Sequence, residues 1–286
     1  LVCMTTMVGF EMAPVPFDFY TFSTCVTGTA LASASAAAFN QYIEIQSDSN
    51  MKRTSNRPLV QKLLTPLHAC IFASGTGLAG IALLYTTVNT LTAGLALTNI
   101  LLYVCCYTPM KKVSMYNTWV GAIVGAIPPL MGWTAATGGI SDLGFLVLTG
   151  ILFSWQLPHF NALSWSNKMD YSKAGYKMMA SVDPLLCRRV ALRHTIITSL
   201  FTILAPMINL TNVFFPLIMS PVNLYFVLCG YQFYKNGDSK SAKKLFRASL
   251  IHLPLCLVAL ILTKQKIDKS YPNVLKNILE PFTIRS

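Results

Sequence analysis

Charge is what this sequence has least of. Lys, Arg, Asp and Glu together make up 11% of its 286 residues, against about 25% in soluble domains, so the chain cannot be an ordinary soluble globule. Acids are the scarcer sign, ten against 22 basic residues, and there are four histidines. The eight cysteines form no CxxC pair, and most of them lie inside apolar runs. That spacing indicates neither a zinc site nor a disulfide framework, and leaves hydrophobe-like cysteines as the default. No Pro/Ser-rich linker and no extended hydrophilic block divides the chain. It reads as one transmembrane domain over residues 1–263 followed by a basic tail, 264–286.

What fills the sequence instead is apolar. Hydrophobic residues account for 53% and the mean hydropathy is +0.53. Nine apolar segments can be drawn, near 1–16, 18–39, 65–86, 91–107, 118–137, 143–165, 190–210, 213–234 and 248–263. A membrane-crossing helix needs about 20 residues, so these predict an all-α polytopic membrane protein. The chain opens on Leu1 within an apolar run, and the first helix is expected to be truncated. Every basic residue before the tail falls after the second, fourth, sixth or eighth segment. The positive-inside rule places those loops on the cytoplasm-like side, which in a mitochondrion is the matrix. The net charge of +12 therefore reads as orienting charge plus a site for an anionic substrate, with no nucleic-acid partner.

Against this background the polar stretch 40–59, NQYIEIQSDSNMKRTSNRPL, needs a reason. Asn40, Glu44 and Asp48 recur every fourth residue, which stacks three oxygen-bearing side chains about 6 Å apart on one helix face. Arg53 and Arg57 follow. Carboxylates beside guanidinium groups suit Mg²⁺ and the phosphates it holds; a solvated helix end with charge support is the other reading. Further on, Tyr107 to Lys112 reads YTPMKK, either an interfacial anchor or, through Lys111 and Lys112, a pair of point charges for phosphate. Asn117 opens a helix with small residues and the pair Pro128–Pro129, where regularity is expected to break and a cavity to form. Trp155, Gln156 and His159 lie in WQLPHFNALSW, an aromatic belt or the polar lining of that cavity. Asp170 and Lys173 lie in DYSKAGYKMM, on its own a solvated loop, and next to the first cluster a second acid-and-base group.

Taken together and in this order, these motifs resemble the heme O synthases, the protoheme IX farnesyltransferases among the UbiA-type intramembrane prenyltransferases. The run TPMKKVSMYNTWVGAIVGAIPPLMGWTAATG is similar to the eukaryotic, mitochondrial branch. The resemblance covers nearly the whole chain up to Thr263. It implies a nine-helix bundle around a central cavity, in the mitochondrial inner membrane, with active-site loops on the matrix side. It also implies that Asn40, Glu44, Asp48 and Asp170 are catalytic and hold Mg²⁺. Arg53, Arg57, Lys111, Lys112 and Lys173 would bind diphosphate, and Tyr107, Asn117, Trp155, Gln156 and His159 would line the heme and prenyl cavity. The implied substrates are farnesyl diphosphate and heme B, heme being a substrate and not a cofactor, with heme A synthase as a candidate partner on the route to cytochrome c oxidase. The second motif departs from the family pattern, with Met169 before Asp170 and Ala174 four residues after it. A quinone-precursor prenyltransferase, a transporter and an assembly protein are the alternatives. The acids gather at one membrane face, where a transporter would be expected to carry them mid-membrane.

Overall fold

The computed structural model describes residues 1–140 and 142–265. Its first half consists of α1 (Val2–Met12), α2 (Phe19–Ile43), the short α3 (Ile45–Ser49), α4 (Pro66–Thr87), α5 (Thr90–Leu101), a π-helical segment (Leu102–Tyr107), α6 (Thr108–Val113) and α7 (Asn117–Thr137). The second half has α8 (Gly144–Ser166), the short α9 (Lys168–Lys173) and α10 (Met179–Val182), then α11 (Pro184–Met207), α12 (Phe214–Asn236) and α13 (Ser239–Leu262). Among the described residues, β-structure amounts to a single bridge between Thr211 and Lys264. Seven helices among the described residues are long and apolar enough to cross a membrane, counting Thr90–Val113 as one. The other two segments drawn from the sequence are α8, as long but interrupted by Gln156, His159 and Asn161, and α1, apolar but 11 residues long.

Helix starts follow from local chemistry. Asp18, Asn89, Asp183 and Asp238 each accept a backbone N–H three residues on, capping α2, α5, α11 and α13, and Thr65 caps α4. The Ser241 hydrogen bonds hold the Asp238 carboxyl below its ordinary range. Because Asp238 can start a helix there, α13 begins well before the apolar run at 248 and carries Lys240, Lys243, Lys244 and Arg247 on its first turns. At the end of α12, Gly237 takes φ 61°, a conformation glycine adopts without penalty. Arg188 of α11 packs on it and donates to the Tyr234 carbonyl at 3.0 Å, so a cation sits on a helix C-terminus.

The expected break at Pro128–Pro129 is absent: α7 runs unbroken through both prolines. Close packing of α1 against this stretch supports it. A Cβ on Gly9 would lie 2.0 Å from the Pro129 carbonyl oxygen. α1 and α7 pack along their length, α2 lies on α4, and α8, α11, α12 and α13 form the other side of the bundle. That side holds the large aromatic core, with Trp133, Phe215, Phe226 and Phe233 fully buried. One chain of buried polar groups there is paired across three helices. Asn223 donates to Thr202 at 2.8 Å, which leaves its oxygen to accept from His252 Nε2 at 2.9 Å. From residue 266 onward the basic tail lies outside the described residues.

Candidate active site

Between the halves of the bundle lies a cavity of about 390 Å³, within the ~300–1,000 Å³ usual for small-molecule sites. α2 ends at Ile43, and Glu44 (φ −95°, ψ 8°) turns the chain into α3. The helical hydrogen bonds nevertheless persist across the bend. Glu44 N–H donates to the Asn40 carbonyl at 3.0 Å and Asp48 N–H to the Glu44 carbonyl at 2.7 Å. The fourfold spacing therefore survives in space: Asn40, Glu44 and Asp48 are all buried and all line the cavity.

Each carboxylate has a cation. Lys111 Nζ donates to Glu44 Oε1 at 2.8 Å; Arg57 donates to Asp48 and lies 3.8 Å from Glu44. Arg53 lines the same mouth. Burial is the strongest influence on Asp48 and pushes its carboxyl above the ordinary value, with Arg57 and Thr54 drawing it back. Asn40 Nδ2 donates to Thr108 Oγ1 at 3.1 Å, which leaves the amide oxygen as the free end. Among the described residues no three His, Cys, Asp or Glu side chains cluster as a metal cage. The donors present are the oxygens of Asn40, Glu44 and Asp48, a set that fits a hard cation keeping water and phosphate oxygens in its shell.

The opposite wall comes from the π-helical segment. Pro109 has no N–H and its ring crowds the preceding turn; the chain answers with a wide turn, a form that recurs at functional sites. Thr108 Oγ1 closes the turn onto the Tyr103 carbonyl at 2.8 Å. Tyr103, Tyr107 and Lys111 then share the cavity face, with the two rings 5.3 Å apart and Lys111 Nζ 4.5 Å from the Tyr107 centroid. Tyr107 lies against Gly121, where a Cβ would come within 2.7 Å of its ring. Asn117 is fully buried and ties the mouth together. Its Nδ2 donates to the Ser114 and Lys177 carbonyls at 2.7 and 3.1 Å. Over the opening, Met51 from the first polar loop packs with Tyr171, Tyr176 and Met178 from the second.

The remaining sequence candidates lie elsewhere. Asp170 sits half-buried on α9 in a separate shallow groove beside Trp165 and Lys168, because its neighbours Tyr171 and Ala174 take the inward face against Met51. Lys112 and Lys173 are exposed and do not line the cavity. Trp155 and His159 turn toward α13. The Trp155 indole donates to the Ser249 carbonyl at 2.9 Å, and His159 Nδ1 bonds Ser249 Oγ at 2.8 Å. The imidazole is stacked between Trp155 and Phe246. On the same helix Gln156, Phe160 and Leu163 face the cavity instead. Tyr103, Thr118, Phe160 and Tyr176 line it without having been singled out from the sequence. For Tyr103 the signal is its i−4 spacing from Tyr107; for the others position in the fold decides.

An apolar cavity within a membrane-helical bundle, charged at one mouth, defines an intramembrane site for an amphiphile with an anionic head. The comparisons give this class a family. A model described as the UbiA prenyltransferase family matches residues 2–253, and the chain belongs to that family. It is 51% identical to the human mitochondrial protoheme IX farnesyltransferase over 265 residues, 93% of this chain and 60% of that protein. With the Neurospora crassa protein of the same description it shares 40% over 298 residues, covering 93% and 58%. The chain thus spans about three-fifths of the length of the curated relatives it matches. A solved structure of digeranylgeranylglyceryl phosphate synthase superposes with TM-score 0.79 at 14% identity, covering 92% of each chain. A UbiA homolog from Archaeoglobus fulgidus bound to GPP and Mg²⁺ gives 0.61 at 13%, covering 91% of this chain and 95% of that one. These last two are likenesses of fold.

Proposed function

We propose that this chain transfers the farnesyl group of farnesyl diphosphate to a vinyl group of heme B, producing heme O in the mitochondrial inner membrane. The observation that carries the proposal is the cavity, whose charged lining residues, Glu44, Asp48, Arg53, Arg57 and Lys111, gather at one mouth above an apolar interior. The identity to the human protein supports heme B as the acceptor. The basic loops support a matrix-facing mouth. The product is a precursor for heme A of cytochrome c oxidase, with heme A synthase as the candidate partner.

The chemistry follows from placement. Arg53, Arg57 and Lys111 bind the diphosphate head at the mouth, and the prenyl chain runs along the small residues Ala32, Ala36 and Ala37 of α2. As the C–O bond breaks, negative charge grows on the leaving diphosphate, so fixed cations stabilise the transition state more than the ground state. Asn40, Glu44 and Asp48 would hold Mg²⁺, which would add charge stabilisation to the leaving diphosphate. The Tyr103 and Tyr107 rings offer π faces to the allylic cation. The Met51, Tyr171, Tyr176 and Met178 cap keeps bulk water from it. The vinyl carbon then attacks, and water completes a hydroxyethylfarnesyl group.

The test is conversion of heme B by the full-length protein in liposomes, given farnesyl diphosphate and Mg²⁺ and read by mass analysis of the heme. A farnesylated, hydrated heme is expected, lost on chelation of Mg²⁺ and in Asp48→Ala. Prenylation of an aromatic acid in place of heme would move the acceptor to a quinone precursor. Absence of turnover with any prenyl diphosphate would remove the enzymatic reading.

A further inference from the structure

Gln156 is a polar side chain 7% exposed, on an otherwise apolar wall of the cavity. Its Nε2 donates to the Leu152 carbonyl at 2.9 Å and to the Ala122 carbonyl at 3.2 Å. An amide nitrogen has two hydrogens, so both are used and the orientation of the group is set. The free end is Oε1, which can only accept. It lies over Gly125, where a Cβ would stand 2.0 Å from it; the glycine makes the space that lets this oxygen face the cavity. Asn117 carries a second pinned amide, and its Oδ1 is buried without a partner. That oxygen is at the charged mouth, whereas Gly125 lies eight residues further along α7, about 12 Å deeper. Gly121, filled by the Tyr107 ring, is one turn of α7 above. Gln156 Oε1, by contrast, faces the cavity with no protein donor, and a water molecule is the smallest partner it can take there.

We propose that Gln156 Oε1 is the positioning group for the water that ends the reaction. The inference rests on the heme-acceptor reading above. The C–O bond of the prenyl diphosphate breaks, with its electron pair leaving on diphosphate. The vinyl π pair forms the new C–C bond to the farnesyl carbon, and the positive charge moves to the vinyl carbon next to the porphyrin ring. A water donating one hydrogen bond to Gln156 Oε1 turns an oxygen lone pair toward that carbon and forms the C–O bond. The proton it sheds is relayed by water toward the mouth and ends on the released diphosphate, the base there. Gln156 keeps no proton; it holds the nucleophile in place. Without a held water the cation loses a proton instead and gives an alkene, a heme lighter by one water.

The experiment is the reconstituted conversion with wild type, Gln156→Leu and Gly125→Ala, reading the ratio of hydrated to anhydrous farnesyl heme and the uptake of ¹⁸O from labelled water. Gln156→Leu removes the acceptor. Gly125→Ala displaces it from a different helix and gives the readout should Gln156→Leu not fold. The hydrated-to-anhydrous ratio is expected to fall about tenfold in either variant, the worth of one hydrogen bond in a barrier. A purely structural loss would lower total turnover and leave the ratio alone. If wild type makes hydrated farnesyl heme and a folded variant keeps its ratio, the inference is overturned. If wild type makes no farnesyl heme, the acceptor reading fails first.

Discussion

Lys111 and Arg57 neutralise Glu44 and Asp48, and in the proposed reaction the same cations bind the diphosphate oxygens. Removing one partner of a buried pair leaves an uncompensated charge, which costs more than the pair itself is worth. Lys111→Met is therefore expected to destabilise the protein by about 2–3 kcal/mol, since the remaining cation near Glu44 is Arg57 at 3.8 Å. Adding Glu44→Gln should restore most of that stability while turnover stays low. Thermal unfolding in detergent of the two single variants and the double variant checks this as a cycle; additive losses would show that the two groups are not coupled. The acids and the basic residues were legible in the sequence as types and spacings, but the pairing of Lys111 with Glu44, which the fold brings together, was not. The direction of His159 was not, because it is set by Ser249 and Phe246 some ninety residues away.

Helix by helix, the sequence marked where polar residues lie and was weaker on which way each short element turns. The acids of the described residues show why. Asp18, Asp183 and Asp238 are spent on helix caps, Asp142 accepts from Gly144 N–H, and Glu11 pairs with Lys264, leaving Glu44 and Asp48 for the cavity. Asp170 shares the acid-plus-base pattern of the first motif, yet the apolar contacts of Tyr171 and Tyr176 with Met51 decide which face of α9 turns inward. The run at Pro128–Pro129 lines the cavity as expected, through Gly121, Gly125 and Pro128, but it misled on regularity for a related reason: proline removes hydrogen bonds from a helix, and a neighbouring helix can support the weakened turn. Gly9 tests that support. Gly9→Ala would push a methyl group to 2.0 Å from the Pro129 carbonyl oxygen, a backbone atom that cannot swing aside, and is expected to cost about 1–3 kcal/mol. Gly75→Ala in α4 meets nothing within 4 Å and should instead stabilise by about 0.5–1 kcal/mol through helix propensity. Melting curves of the two variants should therefore shift in opposite directions; equal shifts would deny that α1 and α7 meet at this point.

At the scale of the molecule, the asymmetry of charge and the position of the cavity mouth coincide. The basic residues before the tail lie in the polar stretch between α3 and α4, in α6, in and just after α9, on the first turns of α11 and α13 and at the end of α12, and the first three of these regions reach the mouth through Arg53, Arg57, Lys111 and Tyr176. Under the proposed function an anionic substrate head meets the protein on the face whose charge would also orient it in the membrane, which makes orientation and substrate delivery one property of the chain. Labelling separates the two faces. Lys52→Cys lies on the basic face near the mouth, and Val213→Cys, 65% exposed between α11 and α12, lies at the other end of the bundle. With the matrix-facing mouth proposed here, a membrane-impermeant maleimide added to mitoplasts should label Val213→Cys at once and Lys52→Cys after the inner membrane is opened. The reverse pattern would put the diphosphate site on the intermembrane side, and farnesyl diphosphate would then have to reach it without crossing that membrane.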